Sequence, residues 1–341
     1  MHNEVKMKKT NKLFSYIINI FSVILLSYIA STAVGYKTII VIVTSATMAS
    51  LSYLSSKKIA PFYCIMGIIS YALFYITNTD FVSLDKIIVM LIEIIDLYLP
   101  SVFLYKCFCN KKSSFTTCVK FVTGANLIVL IISLAKTKYI DNVNIISDID
   151  ATFSEFITYY GDIISANANL INKNINNINE ILIAAKDGFI MMLPSFLIIS
   201  SLIIGYIISA LSVSIIKTRI QSFHINNKFN KIYFGRKLNI ITIVTLLLSF
   251  IIANPYISSG LYNFLVILSV LYITDGLALL NYFIEKKTKN RFLTRILTVF
   301  IFIFSIFSVA SMPVINGFSI MFFAGMLDST HDFRKIRRVT G

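Results

Sequence analysis

The chain has 341 residues, of which 57% are hydrophobic and 14% charged, with a mean hydropathy of +0.79 and a formal net charge of +15. A soluble domain cannot hide that apolar fraction, and segments such as "IITIVTLLLSFIIA" are apolar all round, without the one-sided period that a soluble core helix needs. The basic charge does not point to nucleic acid: 25 of the 31 Lys and Arg fall on one side of alternating apolar runs, as the positive-inside rule requires, where they meet anionic lipid headgroups.

Taken from the N-terminus, the apolar runs predict ten membrane spans, near 13–34, 38–56, 59–78, 83–105, 117–136, 188–216, 238–255, 260–284, 292–311 and 313–328. The second and the last two are the weakest, giving eight to ten, and "MPVINGF" reads either as a tight external turn or as a re-entrant break. An even number with basic tails at both ends predicts N-in/C-in topology. The fold class is all-α, a polytopic transmembrane helix bundle. It divides by composition into residues 1–136 (five spans), a hydrophilic external insertion at 137–187, and residues 188–341 (about five spans and a basic cytoplasmic tail).

The start, "MKKTNKLFSYIINIFSVILLSYIASTA", has a basic lead, but its apolar stretch is longer than a signal-peptide core, so an uncleaved first helix is expected. On that helix Ser27, Ser31 and Gly35 form a small-xxx-small stripe, repeated on the second by Ser45/Ala49 and Ala46/Ser50. Such stripes let backbones approach closely, either within the bundle or as a docking face for another membrane subunit.

In the fourth span, "VMLIEIIDLYLP" carries Glu93 and Asp96 through an otherwise apolar run. Each charge near a helix centre costs about 2.5 to 3.5 kcal/mol, and the apolar residues around it return about 0.3 to 0.6 each, so this helix needs neighbours that hydrate, pair or protonate its acids. The i, i+3 spacing puts both on one face, which Pro100 continues. Pro100 also lacks the N–H that would bond the Asp96 carbonyl. Glu93, Asp96 and Pro100 therefore form a candidate site for a cation, a proton or a ligand amine. Pairing with Lys86, Lys120 or Asn126 would instead make the acids structural.

Cys64, Cys107, Cys109 and Cys118 lie in or beside spans and match no zinc spacing, so small apolar packing residues are expected, with neither disulfide nor metal. The insertion carries Ile146, Ile149, Phe153, Phe156, Tyr160 and Ile163 on one helical face. Ile171, Ile175, Ile178 and Leu182 lie on another after "SANAN", which predicts two amphipathic helices. With Trp absent, the interface belts fall to Tyr36, Tyr98, Tyr262, Tyr272 and Tyr282. In the eighth span Asp275, beside Gly276, is a third membrane acid that could join the same cavity as Glu93 or pack helices at the inner interface. The terminal "GMLDSTHDFRKIRR" sets Asp328, His331 and Asp332 within one turn, short of a metal ligand set, and reads as a solvated amphipathic tail.

Enzyme signatures are absent from the sequence: there is no Walker loop, no GxSxG and no HExxH, and its three histidines lie outside the spans. No catalytic residue and no cofactor is therefore expected. Three stretches, "MMLPSFLIISSLIIGYI" (191–207), "DGLALLNYFIEKK" (275–287) and "MPVINGFSIMFFAGMLDSTHDFRKIRR" (312–338), resemble the YybS-like family of uncharacterised bacterial membrane proteins. In that family Gln commonly stands where this chain has Asp275. The N-terminal helices are distantly similar to substrate-binding subunits of energy-coupling-factor transporters. The resemblance implies a multi-pass protein of the bacterial cell membrane, and a membrane coupling subunit or a second copy as partner. The function expected is a small-solute-binding or transport-related subunit without its own ATPase. Its rivals are a scaffold or regulator of envelope processes and, third, an intramembrane enzyme.

Overall fold

Where the helices of this chain begin and end follows local chemistry. Ser83 and Ser114 accept from Lys86 N and Thr117 N at the starts of two helices, and Asn254 caps another just before Pro255, whose missing N–H costs nothing in a first turn. Lys289, at φ 55°, closes that last helix in the left-handed conformation. A computed structural model describes residues 9–32, 34–55, 59–79, 83–111, 113–166, 176–225, 229, 232–311 and 317–334. These residues are all-helical, with eleven α-helices: α1 (Lys9–Thr32), α2 (Lys37–Leu54), α3 (Ala60–Thr77), α4 (Leu84–Cys109), α5 (Phe115–Tyr139), α6 (Ile145–Ala166), α7 (Asn176–Arg219), α8 (Arg236–Ile251), α9 (Pro255–Thr288), α10 (Arg291–Ser311) and α11 (Gly317–His331). A 3₁₀ turn at Val34–Tyr36 leads into α2.

Each of the ten expected spans coincides with a helix, and six are long and apolar enough to cross a membrane: α2, α3, α4, α5, α7 from Lys186 onward, and α9. The second amphipathic stretch of the insertion lies in part, at Ile171 and Ile175, outside the described residues; its remainder belongs to α7, which runs unbroken for 44 residues from Asn176 through the sixth expected span. At 1.5 Å per residue that is about 66 Å, roughly twice the hydrocarbon thickness of a bilayer. Residues 167–175, with most of "SANAN", and residues 312–316 of "MPVINGF" lie outside the described residues.

The chain packs as two compact units, residues 1–145 with 200–227 and residues 146–199 with 228–341. In the first, α1 lies on α3, and α2 on α4, which also packs against α5. One cluster joins Val23, Met48, Tyr63, Tyr71, Leu97 and Tyr98. A second joins Ala46 and Ala49 of α2 to Leu104, Cys107 and Phe108, Cys118 and Val122, and Ile208, Val213 and Ile216 of α7. Without a hydrophobic drive between helices in lipid, close backbone approach and interhelical hydrogen bonds hold such contacts. Ser50 Oγ donates to the Ser212 carbonyl at 3.2 Å while Ser212 Oγ donates to the Ala46 carbonyl at 3.1 Å, so the small residues of α2 serve packing inside the unit.

In the second unit α9 and α11 share the most extensive helix contact. A Cβ on Gly276 would sit 2.0 Å from the Met321 carbonyl oxygen, and one on Gly325 2.0 Å from that of Tyr272, so both glycines are required for the crossing. Pro194 interrupts the α7 hydrogen-bond ladder, and the Asn263 side chain of α9 mends it, accepting from Ser195 N at 3.2 Å and donating to the Met191 carbonyl at 2.8 Å. α6 packs on α7 through Phe153 and Phe189, ring centroids 5.0 Å apart, and a 2.8 Å Asp150–Lys186 ion pair. Two tyrosines assigned to interface belts belong to the interior. Tyr98 is 3% exposed and hydrogen-bonded to Ser27, and Tyr272 is 0% exposed and donates to Asn239 at 2.6 Å. A tyrosine hydroxyl with partners inside the bundle has no need of the membrane–water boundary.

Candidate functional site

The fourth helix brings Glu93 to a point where α1, α2 and α3 converge. Lys37, the first residue of α2, reaches it with Nζ 2.7 Å from Oε1, and the Tyr71 hydroxyl of α3 donates to Oε2. The partners considered from sequence, Lys86, Lys120 and Asn126, are not the ones that bind it. Side-chain exposure is 18% for Glu93 and 51% for Lys37, so this is a carboxylate at the edge of the interior held by a base half in the open. Lys37, Tyr71 and Glu93 line a pocket with Ala30, Ile40, Val41 and Leu97; its empty volume is about 210 Å³ including its open mouth. The part of it closed off from solvent is only about 10 Å³, room for roughly one water molecule while Lys37 stays in place.

Asp96, one turn further along α4, is half-buried and makes no hydrogen bond or ion pair among the described residues. The charges it feels are Lys37 and Glu93. Pro100 is buried inside the continuous helix and, like Asp96, is not part of the pocket wall. Hydroxyls tend the backbone around this proline: Ser45 Oγ of α2 donates to the Leu97 carbonyl at 2.8 Å, and Ser101 Oγ to that of Tyr98 at 2.6 Å. The stripe on the first helix is divided. Ser27 is fully buried between the Gly67 carbonyl and the Tyr98 hydroxyl, at 3.2 and 2.9 Å. Ser31 turns back to the Tyr28 carbonyl, and Gly35 lies beyond the end of α1, in the 3₁₀ turn, with nothing within 4 Å of where a Cβ would be.

Asp275 has partners of its own in the second unit. Arg334 Nη2 lies 2.5 Å from its Oδ1 and Ser329 Oγ donates to its Oδ2 at 3.0 Å. The same guanidinium holds Asp328 Oδ2 through Nη2 at 2.6 Å and Nε at 2.9 Å, while Phe333 N donates to Asp328 Oδ1 at 3.0 Å. The expected solvated tail is instead anchored inside at two points: side-chain exposures are 1% for Arg334 and 0% for both acids, while His331 and Phe333 between them are exposed. The reason is electrostatic, since two acids in an apolar interior need a cation and the returning chain supplies it. The Tyr233 ring lies 5.9 Å from the guanidinium carbon, and its hydroxyl donates to the Ser329 carbonyl at 3.1 Å. Arg236 and Asn239 donate to the Thr330 and Met326 carbonyls, satisfying the end of α11. His331, grouped from sequence with Asp328 and Asp332, is exposed and stacks on Phe333.

Sequence reasoning missed Lys37, Tyr71 and Arg334 as partners of the membrane acids, and Asp328 as a further buried acid held by the same Arg334. Lys37 carried a signal, as one of only six basic residues on the sparsely charged side. Residues 20–315 match the family described as a predicted membrane protein, DUF2232. No curated protein and no solved structure matches the chain. With six helices of spanning length and composition, it is a multi-pass membrane protein.

Proposed function

We propose that this chain, which belongs to the DUF2232 family of membrane proteins, is a small-solute-binding, transport-related subunit without an ATPase of its own. The observation that supports it is the pocket at Glu93, open on one side and walled by an ion pair, a tyrosine and apolar side chains, with Asp96, which has no partner among the described residues, one turn away. Glu93 and Asp96 concentrate acceptors rather than donors at this place, so the solute class is a metal cation or an amine, and an anion is disfavoured. In this reading the chain is a non-enzyme of ten spans with both termini inside, in the bacterial cell membrane. Anionic headgroups lie against its basic inner loops, and a membrane coupling subunit or a second copy is its partner. A scaffold or regulator is the second reading, favoured by the fact that both Glu93 oxygens are already engaged.

Thermal-shift screening of the wild type and the Glu93→Gln/Asp96→Asn variant against metal ions and amines tests the function, because a ligand bound only by the native state raises its apparent stability. Stabilisation of the wild type alone supports the site, stabilisation of both forms moves it elsewhere, and no stabilisation with no co-purifying membrane subunit removes the transport reading. Topology is tested by impermeant thiol labelling of Thr158→Cys and Gln221→Cys in a cysteine-free background, positions that are both exposed. Labelling of the first but not the second in intact cells is expected; the reverse inverts the orientation.

A further inference from the structure

We propose that Lys37 is a tethered stand-in for the ligand, and that the Glu93 pocket takes a small linear alkylammonium whose charged end replaces Lys37 Nζ. The inference rests on the solute-binding reading and narrows it. A lysine side chain is a four-carbon primary ammonium, and here it ends with its nitrogen 2.7 Å from Glu93 Oε1, in a pocket whose remaining walls at Ala30, Ile40, Val41 and Leu97 are apolar. The protein thus holds an alkylammonium at this carboxylate. The other carboxylate oxygen is fixed by the Tyr71 hydroxyl, which leaves Oε1 as the acceptor to be exchanged.

Three features favour exchange over a permanent bridge. Lys37 is half exposed, so it can leave for water without breaking the interior. It begins α2 directly after the 3₁₀ turn, so its departure removes no helix contact from the middle of the bundle. Asp96, half-buried one turn along α4 and without a hydrogen bond or ion pair among the described residues, is a second carboxyl acceptor beside the pair. A divalent metal fits less well. Hard cations take six or more oxygens, and no group of three or more His, Cys, Asp or Glu is gathered for one among the described residues.

The test uses the full-length protein in mild detergent, with n-butylamine as probe, tert-butylamine as a branched control of equal charge, magnesium chloride as the metal probe, and ionic strength held constant. Calorimetric titration is expected to show n-butylamine binding to the wild type and at least tenfold tighter to Lys37→Met, where the internal competitor is gone. Lys37→Arg, which keeps a cation on Glu93, should bind it more weakly than the wild type, and Glu93→Gln should not bind it. Equal affinity in wild type and Lys37→Met, with only a lowered melting temperature in the variant, makes Lys37 structural and overturns the proposal. Equal binding of tert-butylamine overturns the linear site. Magnesium binding without amine binding overturns this inference and leaves solute binding standing. If no probe binds any form, this proposal falls, and the screen against other solutes decides the broader reading.

Discussion

Both units carry acids on apolar helices and answer them with a base, but the two bases are placed differently. Lys37 comes from the first turn of a helix, makes one contact with one carboxylate, and keeps half its surface in the open. Arg334 follows the last helix, uses Nε and Nη2 on two carboxylates, and is 1% exposed. A lysine ammonium is a compact, flexible, well-hydrated charge, whereas a guanidinium is a rigid fork that loses little by being locked. The first arrangement can open at little cost. The second cannot, because removing its cation would strand two carboxylates in an apolar interior.

The largest effect that would sharpen this contrast is at Arg334. Its replacement by Ala should destabilise the protein by about 3 to 5 kcal/mol, as expected when one partner of a buried ionic cluster is removed. Denaturant unfolding of the purified protein measures it, and a loss under about 1 kcal/mol would put the cluster on the same footing as an exposed pair. Next comes Gly276→Ala, whose Cβ would meet the Met321 carbonyl oxygen at 2.0 Å, so the α9–α11 crossing must spread. Overpacking of that kind costs about 1 to 3 kcal/mol. Gly35→Ala, with nothing within 4 Å, is the matched control and should leave the melting temperature unchanged. The smallest effect on stability is expected at Glu93→Gln, which gives up a half-exposed ion pair worth about 0 to 1 kcal/mol while abolishing any response to a cationic solute. A Glu93→Gln variant as damaged as Arg334→Ala would erase the distinction between an exchangeable pair and a locked one.

Much of the architecture was legible from local rules. Apolar length located ten helical segments, and Ser83, Ser114, Asn254 and Pro255 stand at helix starts as their capping chemistry demands. Gly276 was recognised as a close-approach position from its place in an apolar helix, but Gly325, which completes the crossing, was not, because a glycine's role depends on what the other helix presents to it. The end of the insertion was misplaced: Asp187 and Gly188 read as a boundary before the sixth span, yet α7 continues through them, because a single glycine costs a helix only about 1 kcal/mol.

The acids divide the same way. That Glu93, Asp96 and Asp275 need compensation follows from sequence alone, because the cost of a charge in an apolar helix is a property of the residue and its immediate neighbours. Which group compensates each was decided by tertiary structure. Lys37 is 56 residues from Glu93 and Arg334 is 59 from Asp275. Local periodicity carries no information at such separations, and a long flexible base can reach any of several acids until helix packing fixes which one it faces.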